Sequence, residues 1–109
     1  MVNLVKNWTT EAGLKAYILL IDNSHHCGYV ETPQSISGRH YDDYEVDVHG
    51  GLTYEGKPEW SNGKHVVGYD CAHWGDKTKY SSVGVWRDAY YCINECESLA
   101  AQLIKLEHN

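Results

Sequence analysis

The sequence predicts an α+β fold: a small antiparallel sheet of about four strands packed by one long C-terminal helix. Three observations lead there. Along YEVDVH (44–49), Tyr44, Val46 and Val48 alternate with Glu45, Asp47 and His49, the period of a strand buried on one face. Further on, HVVGYDCAH (65–73) reads as the return strand of a long-looped hairpin. From 88 to about 107 the period changes: Ala89, Ile93, Cys96, Ala100 and Leu103 recur at spacings of four and three, and Leu99 and Leu106 widen the stripe into a helix face.

Taken in order, residues 8–22 begin ambiguously. Leu14, Tyr17, Ile18 and Ile21 fit a helical face, yet AYILLID is also a continuous apolar run. Gly13 weakens a helix there, so a strand at about 16–22 is expected, with NSHHCG as a turn leading to a second short strand, GYVET. After Pro33, QSISGRHYDD is polar and irregular, and the YEVDVH strand follows it. Gly50 and Gly51 interrupt the alternation, as a β-bulge or a close backbone approach would, before Leu52 and Tyr54 resume it. EGKPEWSNGK is a loop ahead of the return strand, and Asp88 is a suitable cap for the helix. No repeat, low-complexity tract or linker divides the chain, and its length suits one hydrophobic core, so residues 1–109 are expected to form a single domain.

Composition narrows the function classes. With 42% hydrophobic and 22% charged residues the chain can bury enough surface to fold. The net charge is −6 and the nine Lys and Arg are scattered, so no basic stripe is available for phosphate backbones and direct nucleic-acid binding is not expected. An acidic surface suits a basic partner instead. No apolar run reaches membrane-spanning length, and MVNLVKNWTTEAGLKAYILLID has no long apolar core or small-residue cleavage site, so a cytoplasmic protein is expected. In that reducing setting Cys27, Cys71, Cys92 and Cys96 are expected as thiols packed like small hydrophobes. Nine Tyr and four Trp with no Phe give every aromatic a polar handle, which suits a rigid amphipathic contact surface.

Two groups of residues stand out. If the central hairpin pairs, His49, Gly50 and Gly51 lie beside Asp70, His73 and Asp76, and glycines with accessible amides, imidazoles and carboxylates could grip a small polar ligand or a peptide. The competing account is a satisfied strand histidine, a bulge and a turn-capping aspartate. A metal reading draws on His25, His26, His49, His73, Asp70, Asp76 and Cys71, but their spacing matches no zinc signature. Cys71 beside a histidine could serve nucleophilic catalysis, yet alternation puts it on the face of Val67 and Tyr69, so an inert buried thiol is expected and no residue is assigned a catalytic role. No cofactor is expected. The second group, Asp42, Asp43, Trp60 and Trp74, offers charge and aromatic area to a partner.

WTTEAGL (8–14), HCGYVETP (26–33), VHGGLTYEG (48–56), GYDCAHWGD (68–76) and RDAYYCINECESLAAQL (87–103) together resemble a family of small uncharacterised bacteriophage and prophage proteins. VHGGLTY and GYDCAH are the most specific parts. The resemblance implies an accessory protein working in an infected bacterial cell by occupying a host protein, such as an antiviral defence component in the manner of an anti-CRISPR, or a nucleic-acid-processing protein. The alternatives are a small-ligand protein that binds, sequesters or hydrolyses a nucleotide-like molecule at the His/Asp group, and a virion or assembly component.

Overall fold

The structure of the protein, a computed structural model, describes residues 1–108. Five strands, β1 (Val2–Thr9), β2 (Lys15–Ile21), β3 (His25–Glu31), β4 (Tyr54–Gly56) and β5 (Val66–Asp70), form one antiparallel sheet in the order β1-β2-β3-β5-β4, followed by the helix α1 (Ala89–Glu107). This is the α+β arrangement expected, with the helix laid across one face. Among the described residues no helix is long and apolar enough to cross a membrane.

The helix starts where its chemistry says it should. Asp88 accepts the Tyr91 backbone N–H at 2.8 Å, satisfying one of the first-turn amides that have no intrahelical acceptor. Its apolar stripe, Cys92, Cys96, Leu99, Ala100 and Leu103, is buried against Ala16, Ile18, Val30, Val67 and Tyr69 of the sheet. Each large aliphatic side chain fully buried in this way contributes roughly 1.5–3 kcal/mol. Gly28, paired with Tyr69, leaves the space that the Tyr69 ring fills on its way to donate to the Cys92 carbonyl at 3.0 Å.

The opposite face is closed by aromatics rather than by a second helix. Tyr29 faces Gly68 across the ladder and Gly68 faces Tyr54, so the absent side chain lets the two tyrosine rings meet edge-on at 5.6 Å. Trp60, on the short 3-10 turn Glu59–Ser61, lies over Tyr17 and Tyr29 with ring centroids 4.9 Å from each. The β2–β3 connection is the three residues Asp22–Ser24, closed by the Ser24 N–H to the Ile21 carbonyl at 2.7 Å, with Asp22 and Asn23 both at positive φ, the geometry whose twist matches a tight hairpin.

Two elements differ from the sequence-based expectation. YEVDVH is not a strand of the sheet. Its alternation is real, since Tyr44 and Val48 are buried and Val46 packs against the core, but the backbone groups of Asp47 and the His49 N–H are taken up by helix side chains and not by a strand. The Gln102 amide accepts the Asp47 N–H and donates to the Asp47 carbonyl, both at 2.7 Å, and Glu95 accepts the His49 N–H at 2.7 Å. Alternation reports which side meets an apolar surface and not whether a neighbouring strand exists. The ladder partner of β5 on that side is β4 instead. β1, which the sequence analysis did not identify, is exposed along nearly all its length and carries a bulge at Val5 between the Leu4 and Lys6 pairings, so it shows no clean alternation.

Candidate functional site

His49 ends the extended segment that the helix side chains hold, and the chain then reverses through a turn closed by the Gly51 N–H to the Val48 carbonyl at 2.8 Å. Gly50 occupies the turn position that needs positive φ (66°). It has a second reason to be glycine. A Cβ there would stand 2.3 Å from the His73 ring, so HGG and DCAH interlock, the imidazole of one occupying the space vacated by the other. Gly51, also at positive φ, has nothing within 4 Å of such a Cβ and serves the backbone alone.

The centre of the cluster is Asp76, whose side chain is 1% exposed. Its Oδ2 accepts from His49 Nε2 at 2.8 Å and from the His73 backbone N–H at 3.0 Å, and its Oδ1 accepts from Arg87 Nε at 3.0 Å. Burial pushes the carboxyl upward, but the hydrogen bonds from His49, Arg87 and the His73 amide outweigh it and hold the group below the usual aspartate range. The bond to Asp76 raises Arg87 in turn.

On the other side of the ring, His49 Nδ1 shares a hydrogen bond with the Tyr91 hydroxyl at 2.7 Å. Tyr91, His49, Asp76 and Arg87 thus form one hydrogen-bonded chain, with the Arg87 guanidinium 4.9 Å from the Tyr91 ring centroid. Burial and then Glu95 push the Tyr91 phenol upward, so a phenolate nucleophile is disfavoured. Nearly every donor and acceptor is committed internally. Such a cluster fixes geometry better than it performs chemistry.

Asp70 sits beside it. Its carboxylate accepts from the Thr53 hydroxyl at 2.9 Å and the Ala72 N–H at 3.1 Å, and lies 3.3 Å from His73 Nε2. That last approach is off the hydrogen-bonding direction, which leaves His73 Nε2 as the buried side-chain polar atom without a hydrogen bond among the described residues. A cleft of about 580 Å³ opens there, bordered by His73, Trp74, Asp76, Thr78, Ser81 and Val83.

The structure therefore brings together His49, Gly50, Asp70, His73 and Asp76, with Gly51 adjacent. Arg87, Tyr91 and Glu95, which complete the cluster, went unread in the sequence; their signal was a polar stripe at four-residue spacing beside the apolar one. His25 and His26 lie elsewhere: His25 Nδ1 is 3.2 Å from the Ser24 hydroxyl, and His26 Nδ1 donates to the Arg87 carbonyl at 2.9 Å. Cys71 is buried with its Sγ 3.8 Å from that of Cys92; the hydrogen bond with Cys92, together with burial, pushes its thiol up. Among the described residues no three His, Cys, Asp or Glu side chains are arranged to hold a metal ion.

The proposed contact residues separate. Asp42 and Asp43 are exposed on the 3-10 turn Tyr41–Asp43, Trp60 is half-buried on the tyrosine face, and Trp74 is fully exposed. Trp74 lies near the start of the loop, residues 71–88, that returns the chain from β5 to α1. No protein-family model, curated protein or solved structure matches this chain.

Proposed function

We propose that this protein is a non-catalytic binding module whose contact surface is the loop between β5 and α1. The observation that carries this reading is the loop's exposure of large apolar side chains: Trp74 is fully exposed, Val83 79%, Tyr80 78%, Tyr90 at the helix start 77%, and Val85 and Trp86 about half. A patch of this kind on a monomer marks a contact site more often than not, and Trp and Tyr are the residues that concentrate binding energy.

The loop is also held in one shape. The Lys77 N–H donates to the Val85 carbonyl at 2.9 Å, and the Val85 N–H to the Gly75 carbonyl at 2.8 Å. Gly84 lets the two arms cross, since a Cβ there would meet the Gly75 carbonyl oxygen at 2.5 Å. The Lys79 N–H reaches the Ser24 hydroxyl, and Asp76 and Arg87 clasp the base. Preorganisation of this sort removes part of the entropy cost of association. The buried His49–Asp76–Arg87 cluster is thereby given a role, as the clamp that displays the aromatics. Lys77 and Lys79 on the rim suit a partner patch that is apolar at its centre and acidic at its edge.

The setting implied by the resemblance, a phage-encoded protein that occupies a host bacterial protein of antiviral defence or nucleic-acid processing, completes the proposal. Affinity capture from bacterial lysate with the wild-type protein and with Trp74→Ala/Tyr90→Ala tests it. Captured proteins should disappear with the variant; retention of the same set, or capture of nothing by the wild type, would overturn it.

A second reading, small-ligand binding in the cleft against His73, is favoured by the unbonded Nε2 of that residue. It requires a ligand acceptor or donor at that nitrogen. A thermal-shift panel of nucleotides in which nothing stabilises the protein, and His73→Ala changes nothing, would remove it.

A further inference from the structure

A second cleft, of about 430 Å³, shares no lining residue with the one beneath the aromatic loop. It lies between the β1–β2 turn, the chain leaving β3 and the loop between β4 and β5. Its charge runs against that of the molecule. The protein has 15 acidic residues against nine basic ones, yet this cleft is lined by Lys15, Lys57 and Lys64 with Glu31 as its one carboxylate. Glu31 is already engaged, accepting the Tyr17 hydroxyl at 2.6 Å. Among the described residues none of the three lysines takes part in an ion pair.

Its polar floor is ordered. His65, 3% exposed in its side chain, donates from Nε2 to Glu55 at 2.7 Å, which leaves Nδ1 to accept the Thr32 hydroxyl at 2.8 Å. The Ser37 hydroxyl stands 3.0 Å from the Thr32 oxygen. With the Thr32 proton given to His65, the Ser37 hydroxyl donates back to the Thr32 oxygen and turns its lone pairs outward. The Glu55–His65–Thr32–Ser37 chain thus orders the floor of the cleft with no ligand needed.

We infer that this cleft is a binding site for a small phosphorylated molecule. Three lysines among the lining residues of a concave, partly apolar space suit a tetrahedral dianion, whereas a planar carboxylate is better matched by the arginine fork, and no arginine lines the cleft. Ligand pockets run from about 300 to 1,000 Å³, so the space takes a molecule of nucleotide size and not merely a free anion. Like-signed charges lining a concave space raise the local anion concentration on an otherwise repelling surface.

The test is an NMR amide titration of the full chain with inorganic phosphate, adenosine monophosphate and uncharged adenosine. The monophosphate should give saturable shifts at Lys15, Lys57, Lys64 and His65 and bind at least tenfold more tightly than phosphate, and adenosine should leave these amides unmoved. Lys57→Gln/Lys64→Gln, both exposed and so without consequence for folding, should weaken the monophosphate at least tenfold, while Trp74→Ala should leave it unchanged. Binding undiminished in the lysine variant, shifts spread equally to Lys77 and Lys79, or phosphate binding as tightly as the monophosphate would overturn the assignment.

Discussion

His49 Nε2 donates to Asp76 Oδ2 across 2.8 Å, joining a glycine turn before β4 to the base of the loop that follows β5. Between them these residues decide whether that loop has one shape. The carboxylate is buried and holds three donors, so it can be neither exposed nor left unpaired without cost.

Asp76→Ala should therefore destabilise the protein by about 1–3 kcal/mol, because His49 and the His73 N–H lose a buried acceptor while the partly exposed Arg87 can turn to water. Urea unfolding measures this. Amide exchange across residues 77–87 should accelerate by more than the global loss accounts for. Equal acceleration everywhere would show that Asp76 supports the core and not the loop.

The same group sets an acid limit. Its folded carboxyl is held lower than in the unfolded chain, so the stability it adds is fully present above the ordinary aspartate value of about 3.9 and is lost as pH falls through the lower folded value. The urea midpoint should fall steeply below about pH 4 in the wild type. It should fall less steeply in Asp76→Asn; identical slopes would assign acid unfolding to other carboxylates.

Gly50 and Gly51 should behave differently on replacement by alanine, although both have positive φ. Gly51→Ala bears only the backbone penalty of roughly 1–2 kcal/mol. Gly50→Ala adds a clash with the His73 ring, a further 1–3 kcal/mol or so, and should shift the His73 ring resonances. Equal costs would mean the ring moves aside freely.

The cysteines should be inert in the native state. All four are buried thiols; burial pushes Cys27 and Cys96 up to about 12, and Cys92, lowered by its hydrogen bond with Cys71, is shielded by having no exposed surface. At pH 8 iodoacetamide should label none of them until denaturant is added, when all four should react within minutes. Rapid native labelling of any one would expose an opening motion between helix and sheet.

Trp74 and Trp60 make a matched pair. Trp74→Ala should change stability by no more than about 0.5 kcal/mol while abolishing partner capture. Trp60→Ala, which strips the cover from Tyr17 and Tyr29, should cost roughly 1–3 kcal/mol. Thermal denaturation alongside capture separates the two roles.

Much of the framework was legible in the sequence. The helix with its Asp88 cap, the buried run 16–21 and the return strand follow from local period and turn chemistry; His49 does meet Asp76, but through the helix-held segment and the loop after β5 and not through the hairpin expected. Arg87, Tyr91 and Glu95 were not read, because a polar stripe on a helix is ordinarily solvated and nothing local says which groups it will meet. His65 was hidden for a similar reason, since its partners Thr32 and Glu55 come from separate parts of the chain.

By itself the sequence determined which residues face inward, where the helix starts and where the chain turns, since these depend on neighbours within a few positions. Only the tertiary structure decided what satisfies the outward groups. YEVDVH has the alternation of a strand, yet Gln102 and Glu95 of the helix, and no ladder, take up the backbone groups of Asp47 and His49. Hydrophobic period specifies a burial direction, whereas hydrogen-bond partners are fixed by what long-range packing brings within 3 Å.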